Sequence, residues 1–226
     1  MSLKVAVIIP AYNEAERIAP VLEAVKKADL VNEVIVVSDG SRDATVRIAK
    51  SFPDIKVIEL IYNKGKGAAL CAGAKATNAD ILAFVDADLV GLRPEHIDQI
   101  ILPILEGKAT MCIGIFRGGK FWSNTAQRIS PYISGQRALK RPLFEAIPYL
   151  EELRMGVEVA INTWAKRLKV PVTHVVLHGV SNTFKEKKLG VMKGAAARAK
   201  MYAEIGRAIV RTHRKQKTKK RHSYWI

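Results

Sequence analysis

Two carboxylates carry the sharpest chemical signal in this sequence of 226 residues: Asp86 and Asp88, separated by Ala87. They follow Ile81-Leu82-Ala83-Phe84-Val85, an apolar run that reads as a buried strand reaching to Asp88. In an extended segment side chains alternate with period two, so both carboxylates would face one side, roughly 6–7 Å apart at the backbone. Two anions held in a partly desolvated crevice repel one another, and a hard divalent cation with oxygen ligands removes that repulsion. Such a cation can also bridge diphosphate oxygens and stabilise charge on a leaving group. The plainer reading is a pair of solvated acids at a strand end.

Further polar clusters stand at the ends of other apolar runs. Asp39 closes Val34-Ile35-Val36-Val37-Ser38 and is followed by Gly40, which permits a sharp turn. It could accept a hydrogen bond from a base N–H, or act as a helix cap or Asx turn before the helix that starts near Asp43. Pro10-Ala11-Tyr12-Asn13-Glu14 ends the first run. Glu14 could receive ribose or base hydrogens, or merely occupy a first helical turn. Asn63-Lys64-Gly65-Lys66-Gly67 precedes an Ala-rich helix. Its glycines allow close backbone approach, the helix start favours anions, and the two lysines add charge. The spacing is not that of a Walker A loop.

The elements that must position these residues are short Val- and Ile-rich strands alternating with helical patterns. Strands are predicted at 5–10, 33–39, 56–60, 81–88 and 110–117, with helices at 15–28, 43–52, 66–77 and 94–105. Repeated strand–helix alternation predicts an α/β fold, a mixed, mostly parallel Rossmann-like sheet with helices on both faces. Ligands of such sheets bind beyond the carboxyl ends of the strands, where the polar clusters fall. From Gly118 the pattern loosens, and residues 121–147 read as loops and short helices over a sheet edge. A helix at 156–168 and a strand at 172–178 follow. A basic amphipathic helix over 190–214 and a frayed end, 215–226, complete the chain.

The bulk composition limits the class. At 49% hydrophobic and 26% charged residues, the chain is an ordinary globular one, long enough for one sizeable domain. Its longest apolar runs are too short to cross a bilayer, and its N-terminus lacks a signal-type core. The expected place is the cytoplasm. Cys71 and Cys112 sit among apolar neighbours, which fits buried free thiols. The net charge of +16 is concentrated: residues 185–226 hold 14 Lys and Arg against 2 Glu, so the body is close to balanced. Three readings of this tail compete. It could lie on an anionic membrane at the inner surface, gather phosphorylated substrates or nucleic acid, or form a packed helix with a solvated face. No motif points to specific nucleic-acid binding.

Together the motifs Val7-Ile8-Ile9-Pro10-Ala11-Tyr12-Asn13-Glu14, Val36-Val37-Ser38-Asp39-Gly40-Ser41-Arg42-Asp43-Ala44-Thr45, Asn63-Lys64-Gly65-Lys66-Gly67 and Phe84-Val85-Asp86-Ala87-Asp88-Leu89 resemble the family 2 type of glycosyltransferase, with the GT-A fold. The likeness covers about the first 120 residues. It implies a nucleotide diphosphate sugar as donor, bound by Pro10, Ala11, Tyr12, Glu14, Asp39, Lys64, Asp86 and Ala87, with Mg2+ or Mn2+ on Asp86 and Asp88. Ser38 stands where many members carry a second acid. Ser134-Gly135-Gln136-Arg137, Arg141-Pro142-Leu143 and Met155-Gly156-Val157-Glu158 are similar to the glucosyl-3-phosphoglycerate synthase and dolichol-phosphate mannose synthase group.

That similarity implies an acceptor bordered by Gly135, Gln136 and Arg137, and catalytic acids Asp88 and Glu158. The plainer reading of Glu158 is a helix-surface acid. Relatives often supply a third metal ligand after the late strand; His178 is the chemically better ligand there, while Asn182 lies nearer the family's position. The implied layout is a domain over 1–189, with a nucleotide-sugar half at 1–117 and an acceptor half at 118–189, then the basic segment 190–226. The implied activity is metal-dependent transfer of a hexose, UDP-glucose favoured, to a small phosphorylated or lipid-linked acceptor, with a homodimer among the assemblies allowed. A nucleotidyltransferase and a non-catalytic nucleotide-sugar-binding or membrane adaptor are the alternatives.

Overall fold

A computed structural model of the chain describes residues 3–117, 134–154 and 156–182. The helix expected over 190–214, the tail and the boundary at 189/190 lie outside the described residues.

The elements run β1 (Val5–Ala11), α1 (Ile18–Lys26), β2 (Glu33–Asp39), α2 (Thr45–Lys50), β3 (Ile55–Leu60), α3 (Lys66–Lys75), β4 (Ile81–Phe84), β5 (Leu89–Val90), α4 (Pro94–Leu105), β6 (Met111–Arg117), β7 (Arg137–Lys140), α5 (Arg141–Glu145), α6 (Val157–Arg167), β8 (Val172–His178) and β9 (Ser181–Asn182). A seven-stranded sheet has the order β3-β2-β1-β4-β7-β6-β8. Only β7 runs against its neighbours, antiparallel to both β4 and β6. A separate two-stranded sheet pairs β5 with β9.

Alternation along the strands splits the core into two layers. Val5, Val7 and Ile9 of β1 face a cluster containing Ile18, Val21 and Leu22 of α1 and Ile97, Ile100 and Ile104 of α4. Ala6 and Ile8 face the other, with Ala69 and Leu70 of α3, Phe144 of α5 and Ile161 of α6. Burial on both faces is why the central strands are continuous apolar runs. On the α3 side the approach is close: a Cβ on Gly73 would stand 2.5 Å from Ile8 Cγ2. An Ala- and Gly-rich helix is what lets α3 lie so near the sheet.

Two expectations are corrected. The fourth strand stops at Phe84 rather than Asp88, and Ala87–Asp88 form a turn into β5. Residues 137–140 are not part of a loop region over an edge but form an interior strand, β7, between β4 and β6. Arg137-Ala138-Leu139-Lys140 has no β-branched residue, so propensity gives no strand signal. Cross-strand pairing decides instead: Ala138 lies opposite both Ala83 and Cys112, and Leu139 opposite Leu82 and Met111. Through β7 the segments either side of 117/118 share one sheet.

The helices α1 and α2 begin later than expected, while α3 and α4 start at 66 and 94 as expected. The carbonyl of Glu14 accepts the N–H groups of Arg17 and Ile18, so residues 15–17 form a turn before α1. Asp43 stands just outside α2, its Oδ1 accepting from the Thr45 N–H at 3.0 Å and the Thr45 hydroxyl at 2.5 Å. Burial alone would raise the Asp43 carboxyl, but these bonds, together with that from the Ala15 N–H, draw it below its ordinary range.

Candidate functional site

The strand order reverses between β1 and β4, the place where open α/β sheets form a crevice at their carboxyl ends. Four loops meet there. The β1 and β2 loops are stapled together by short polar groups. Asn13, held at φ +55°, donates its N–H to Ser41 Oγ at 3.1 Å, and its Oδ1 accepts the Arg42 N–H at 2.9 Å. Ser38, buried, accepts the Ser41 N–H at 3.2 Å. The Ser38 hydroxyl thus closes the turn after β2. Glu14 is buried; its N–H donates to Thr45 Oγ1 at 2.8 Å and its carboxylate receives Arg17 Nε at 2.7 Å. Tyr12 is 46% exposed, so its ring offers an open face just beyond β1, after half-buried Pro10 and buried Ala11.

Asp39 neither caps a helix nor forms an Asx turn. Its two oxygens accept the consecutive backbone N–H groups of Lys64, at 2.7 Å, and Gly65, at 2.8 Å. The buried carboxylate thus fixes the loop that enters α3. Gly40, at φ +70°, lets that loop pass: a Cβ there would meet Asn63 N at 2.6 Å. Arg154 covers the loop from the other side, donating to Asn63 Oδ1 at 2.6 Å. The Lys64 side chain stands over the Tyr62 ring, 5.0 Å from its centroid, so the backbone of Lys64 rather than its ammonium belongs to the loop's framework.

The turn after β4 holds the acidic centre. Asp86 Oδ1 receives the Lys66 ammonium at 2.6 Å and Oδ2 receives Gln136 Nε2 at 2.9 Å. Lys66 also lies 2.6 Å from Glu158 Oε1, in the first turn of α6. Burial alone would lower the Lys66 pKa, but the charges of Asp86 and Glu158 and their hydrogen bonds outweigh it and hold the group well above its ordinary value. Glu158 is therefore part of the centre rather than a helix-surface acid. Ala87 is buried, and Asp88 sits half-buried one residue on.

Gly135 lies against Asp86, where a Cβ would come 2.3 Å from Oδ2. Gln136 and Arg137 are each 1% exposed. The Arg137 guanidinium donates to Asn162 Oδ1 at 2.8 Å, to the Glu158 carbonyl at 3.2 Å, and to the Ser134 carbonyl. Its Nε has no partner among the described residues. Burial lowers its pKa while Glu158 and Asp86 raise it. Gly135, Gln136 and Arg137, expected to border an acceptor, form the wall behind Asp86 and the brace beneath Glu158.

The expected metal trio of Asp86, Asp88 and His178 is not gathered: among the described residues no three of His, Cys, Asp and Glu group to hold a metal. His178 ends β8, where its backbone is a hydrogen-bond partner of His96 of α4. Asn182 pairs with Leu89, the residue after Asp88, because β9 returns along β5. The carboxylate pair nonetheless fits a hard cation. Mg2+ in particular is usually held by one or two carboxylates and completes its shell with water and substrate phosphates, so no third protein ligand is required. Lys66 is the site residue whose weight the sequence understates. Its signal is its place as the first residue of α3, directly after Gly65.

A family model described as Glycosyl transferase family 2 matches residues 6–160. The chain is 27% identical over 213 residues to the undecaprenyl-phosphate 4-deoxy-4-formamido-L-arabinose transferase of Yersinia enterocolitica, covering 84% of this chain and 64% of that protein. It is 42% identical over 110 residues to the dolichyl-phosphate beta-glucosyltransferase of Drosophila melanogaster, covering 42% of this chain and 34% of that one. The chain thus spans less than two thirds of the length of these relatives. Among solved structures it is similar to glucosyl-3-phosphoglycerate synthase from Mycobacterium tuberculosis in complex with phosphoglyceric acid, with a TM-score of 0.74 at 23% identity over 91% of this chain and 80% of that one. The same synthase with Mn2+, UDP-glucose and phosphoglyceric acid gives a TM-score of 0.72 at 25% identity, over 90% and 80%. The mixed, mostly parallel sheet with helices on both faces is the GT-A fold.

Proposed function

Because this chain belongs to glycosyl transferase family 2, we propose that it transfers a hexose from a nucleotide diphosphate sugar, UDP-glucose favoured, to an acceptor that carries a phosphate. The observation that carries this reading is the bridging of Asp86 and Glu158 by Lys66 where the strand order reverses, with Asp88 two residues beyond Asp86 in the same turn. In the reaction the bond from the anomeric carbon to the β-phosphate oxygen breaks and the acceptor oxygen takes its place. The nucleoside diphosphate leaves; a hydroxyl acceptor gives its proton to the departing diphosphate or to solvent, while a phosphate-oxygen acceptor attacks already deprotonated.

The nucleoside would lie along the ends of β1 and β2. Tyr12 offers a ring face, and the stapled loops of Asn13, Ser38 and Ser41 give a rigid floor. Asp39 holds the loop at 63–65 through the Lys64 and Gly65 N–H groups, and the Lys66 ammonium at the start of α3 would meet the diphosphate. Asp86 and Asp88 would hold Mg2+ or Mn2+, which when bound supplies neutralising charge to the diphosphate. Gln136 aims Asp86, and Arg137 fixes the start of α6 from below. Glu158, which accepts from Lys66 here, would accept a hydrogen bond from the acceptor or sugar hydroxyl and orient it for attack.

The relatives' names contain undecaprenyl phosphate and dolichyl phosphate, and the solved neighbours bind phosphoglyceric acid. A phosphate on the acceptor is their shared chemistry. A lipid-linked acceptor would suit peripheral contact of the basic segment 185–226 with an anionic membrane. The test is incubation with radiolabelled UDP-glucose and Mn2+, using 3-phosphoglycerate in one arm and polyprenyl phosphate in vesicles in the other. Label should move to one acceptor with release of UDP. Binding of UDP with neither transfer nor donor hydrolysis would contradict the proposal and favour a nucleotide-sugar-binding protein.

A further inference from the structure

On the proposed reading Asp86 would give oxygen to a divalent cation, yet a cation of the protein's own already sits on it. Lys66 Nζ lies 2.6 Å from Asp86 Oδ1 and 2.6 Å from Glu158 Oε1, and Gln136 donates to the remaining Asp86 oxygen. The two acids come from different parts of the chain, the turn after β4 and the start of α6, and the ammonium bridges them. An incoming divalent ion meets a positive charge on the oxygen it needs. A diphosphate changes the balance, because Lys66 begins α3 beside the loop that the Asp39 carboxylate fixes through the Lys64 and Gly65 N–H groups. Two phosphates lying on that loop offer the ammonium a partner away from Asp86.

We propose that Lys66 is a resident counter-cation of this site, one that occupies Asp86 and Glu158 until a diphosphate draws it off. Its departure does two things at once. It opens Asp86 to the divalent ion, and it releases Glu158 for a sugar or acceptor hydroxyl. Metal and nucleotide therefore bind as a coupled pair, each strengthening the other by the same factor, and the metal alone binds weakly. The site assembles its hydroxyl-orienting acid only when donor is present. A lysine that merely propped the two carboxylates in place would act in the opposite sense, since its removal would disorder the metal's ligands.

This inference rests on the metal–diphosphate reading of the site, and the test separates the two. Mn2+ is titrated calorimetrically, without nucleotide, into wild type, Lys66→Gln, Lys66→Met and Lys66→Arg, each first shown to melt cooperatively. Coupling between ligands commonly amounts to between about 5- and 150-fold. Removing the charge should tighten nucleotide-free Mn2+ binding by about tenfold or more in that range, in Gln and Met alike. Arg, which keeps the charge, should stay at the wild-type value. Adding UDP should tighten Mn2+ in wild type by a larger factor than in Lys66→Gln. Mn2+ binding that is unchanged or weakened in both neutral variants, or equally tightened in Lys66→Arg, would overturn the role of Lys66 while leaving the metal reading intact. Failure of wild type to bind Mn2+ even with UDP present would overturn the metal reading, and the role of Lys66 with it.

Discussion

Asp86 is fixed from three directions, by Lys66, by Gln136 and by the missing side chain of Gly135. The last sets the tightest limit. A Cβ at 135 would stand 2.3 Å from Oδ2 and 2.8 Å from Cγ, and the carboxylate would have to swing away. Gly135→Ala should therefore lower the sugar-transfer rate on the order of 100-fold, the cost of about an ångström of misplacement at a reacting centre. Its circular-dichroism melt should stay cooperative. An unchanged rate would mean that Asp86 does not need the position it holds here. At this scale the sequence is legible where residue type and spacing coincide. Asp86 and Asp88 stand out because two acids at period-two spacing follow a buried apolar run; Asp39 alone reads equally as a cap or turn and gains weight only from the motifs around it. Lys66 does not stand out from Lys64, because both lie in one Gly-Lys loop and only the side-chain directions set by the start of α3 separate them. His178 is a good ligand type, but a strand's end does not say which side chain faces the turn after β4.

Elements decide how these residues face one another. The alternating strands and helices before residue 117 are readable because the central strands are buried on both faces and the helices carry apolar stripes. β7 is not, since a four-residue strand without β-branched side chains owes its existence to the two strands beside it. The helix α4 shows how local chemistry ties an element to its surroundings. Its start carries a reciprocal cap: the Arg93 N–H donates to His96 Nδ1 at 3.2 Å, which requires that nitrogen to be unprotonated. Burial, and then the nearby Arg93 charge, lower the His96 pKa below its ordinary 6.5. The unfolded chain thus takes up a proton that the folded chain resists in the window from 6.5 down to the folded value. Stability from this group is complete above that window and is lost as pH falls through it. The midpoint of urea unfolding should therefore drop between about pH 7.5 and about pH 5.5, and drop less steeply in His96→Asn. Equal slopes in the two proteins would show that His96 is not the group responsible.

Across the described residues, two apolar layers sandwich the seven-stranded sheet, and the buried acids Glu14 and Asp39 follow or end the strands β1 and β2 at their carboxyl ends. That arrangement is why the fold class and the place of the site are legible in the order of apolar runs and polar clusters. The partners of each side chain are not, because they depend on loops that meet only when the sheet is assembled. Both cysteines are unpaired, Cys112 buried as expected and Cys71 only half-buried; burial pushes Cys71 up to about 11 and Cys112 up to about 12. No helix among the described residues is long and apolar enough to cross a membrane. The charge balance of the body leaves the basic segment as the part of the chain with most to offer an anionic surface.

The central claim is that the crevice between β1 and β4 binds a nucleoside diphosphate through a divalent ion on Asp86 and Asp88. Calorimetric titration of UDP into wild type and Asp88→Ala, with and without Mn2+, addresses it most directly. Wild type should bind UDP at least about tenfold more tightly with Mn2+ than without, a difference of about 1.4 kcal/mol, and Asp88→Ala should lose that gain. UDP binding that ignores both the metal and the substitution, or no binding at all in the presence of Mn2+, would contradict the account.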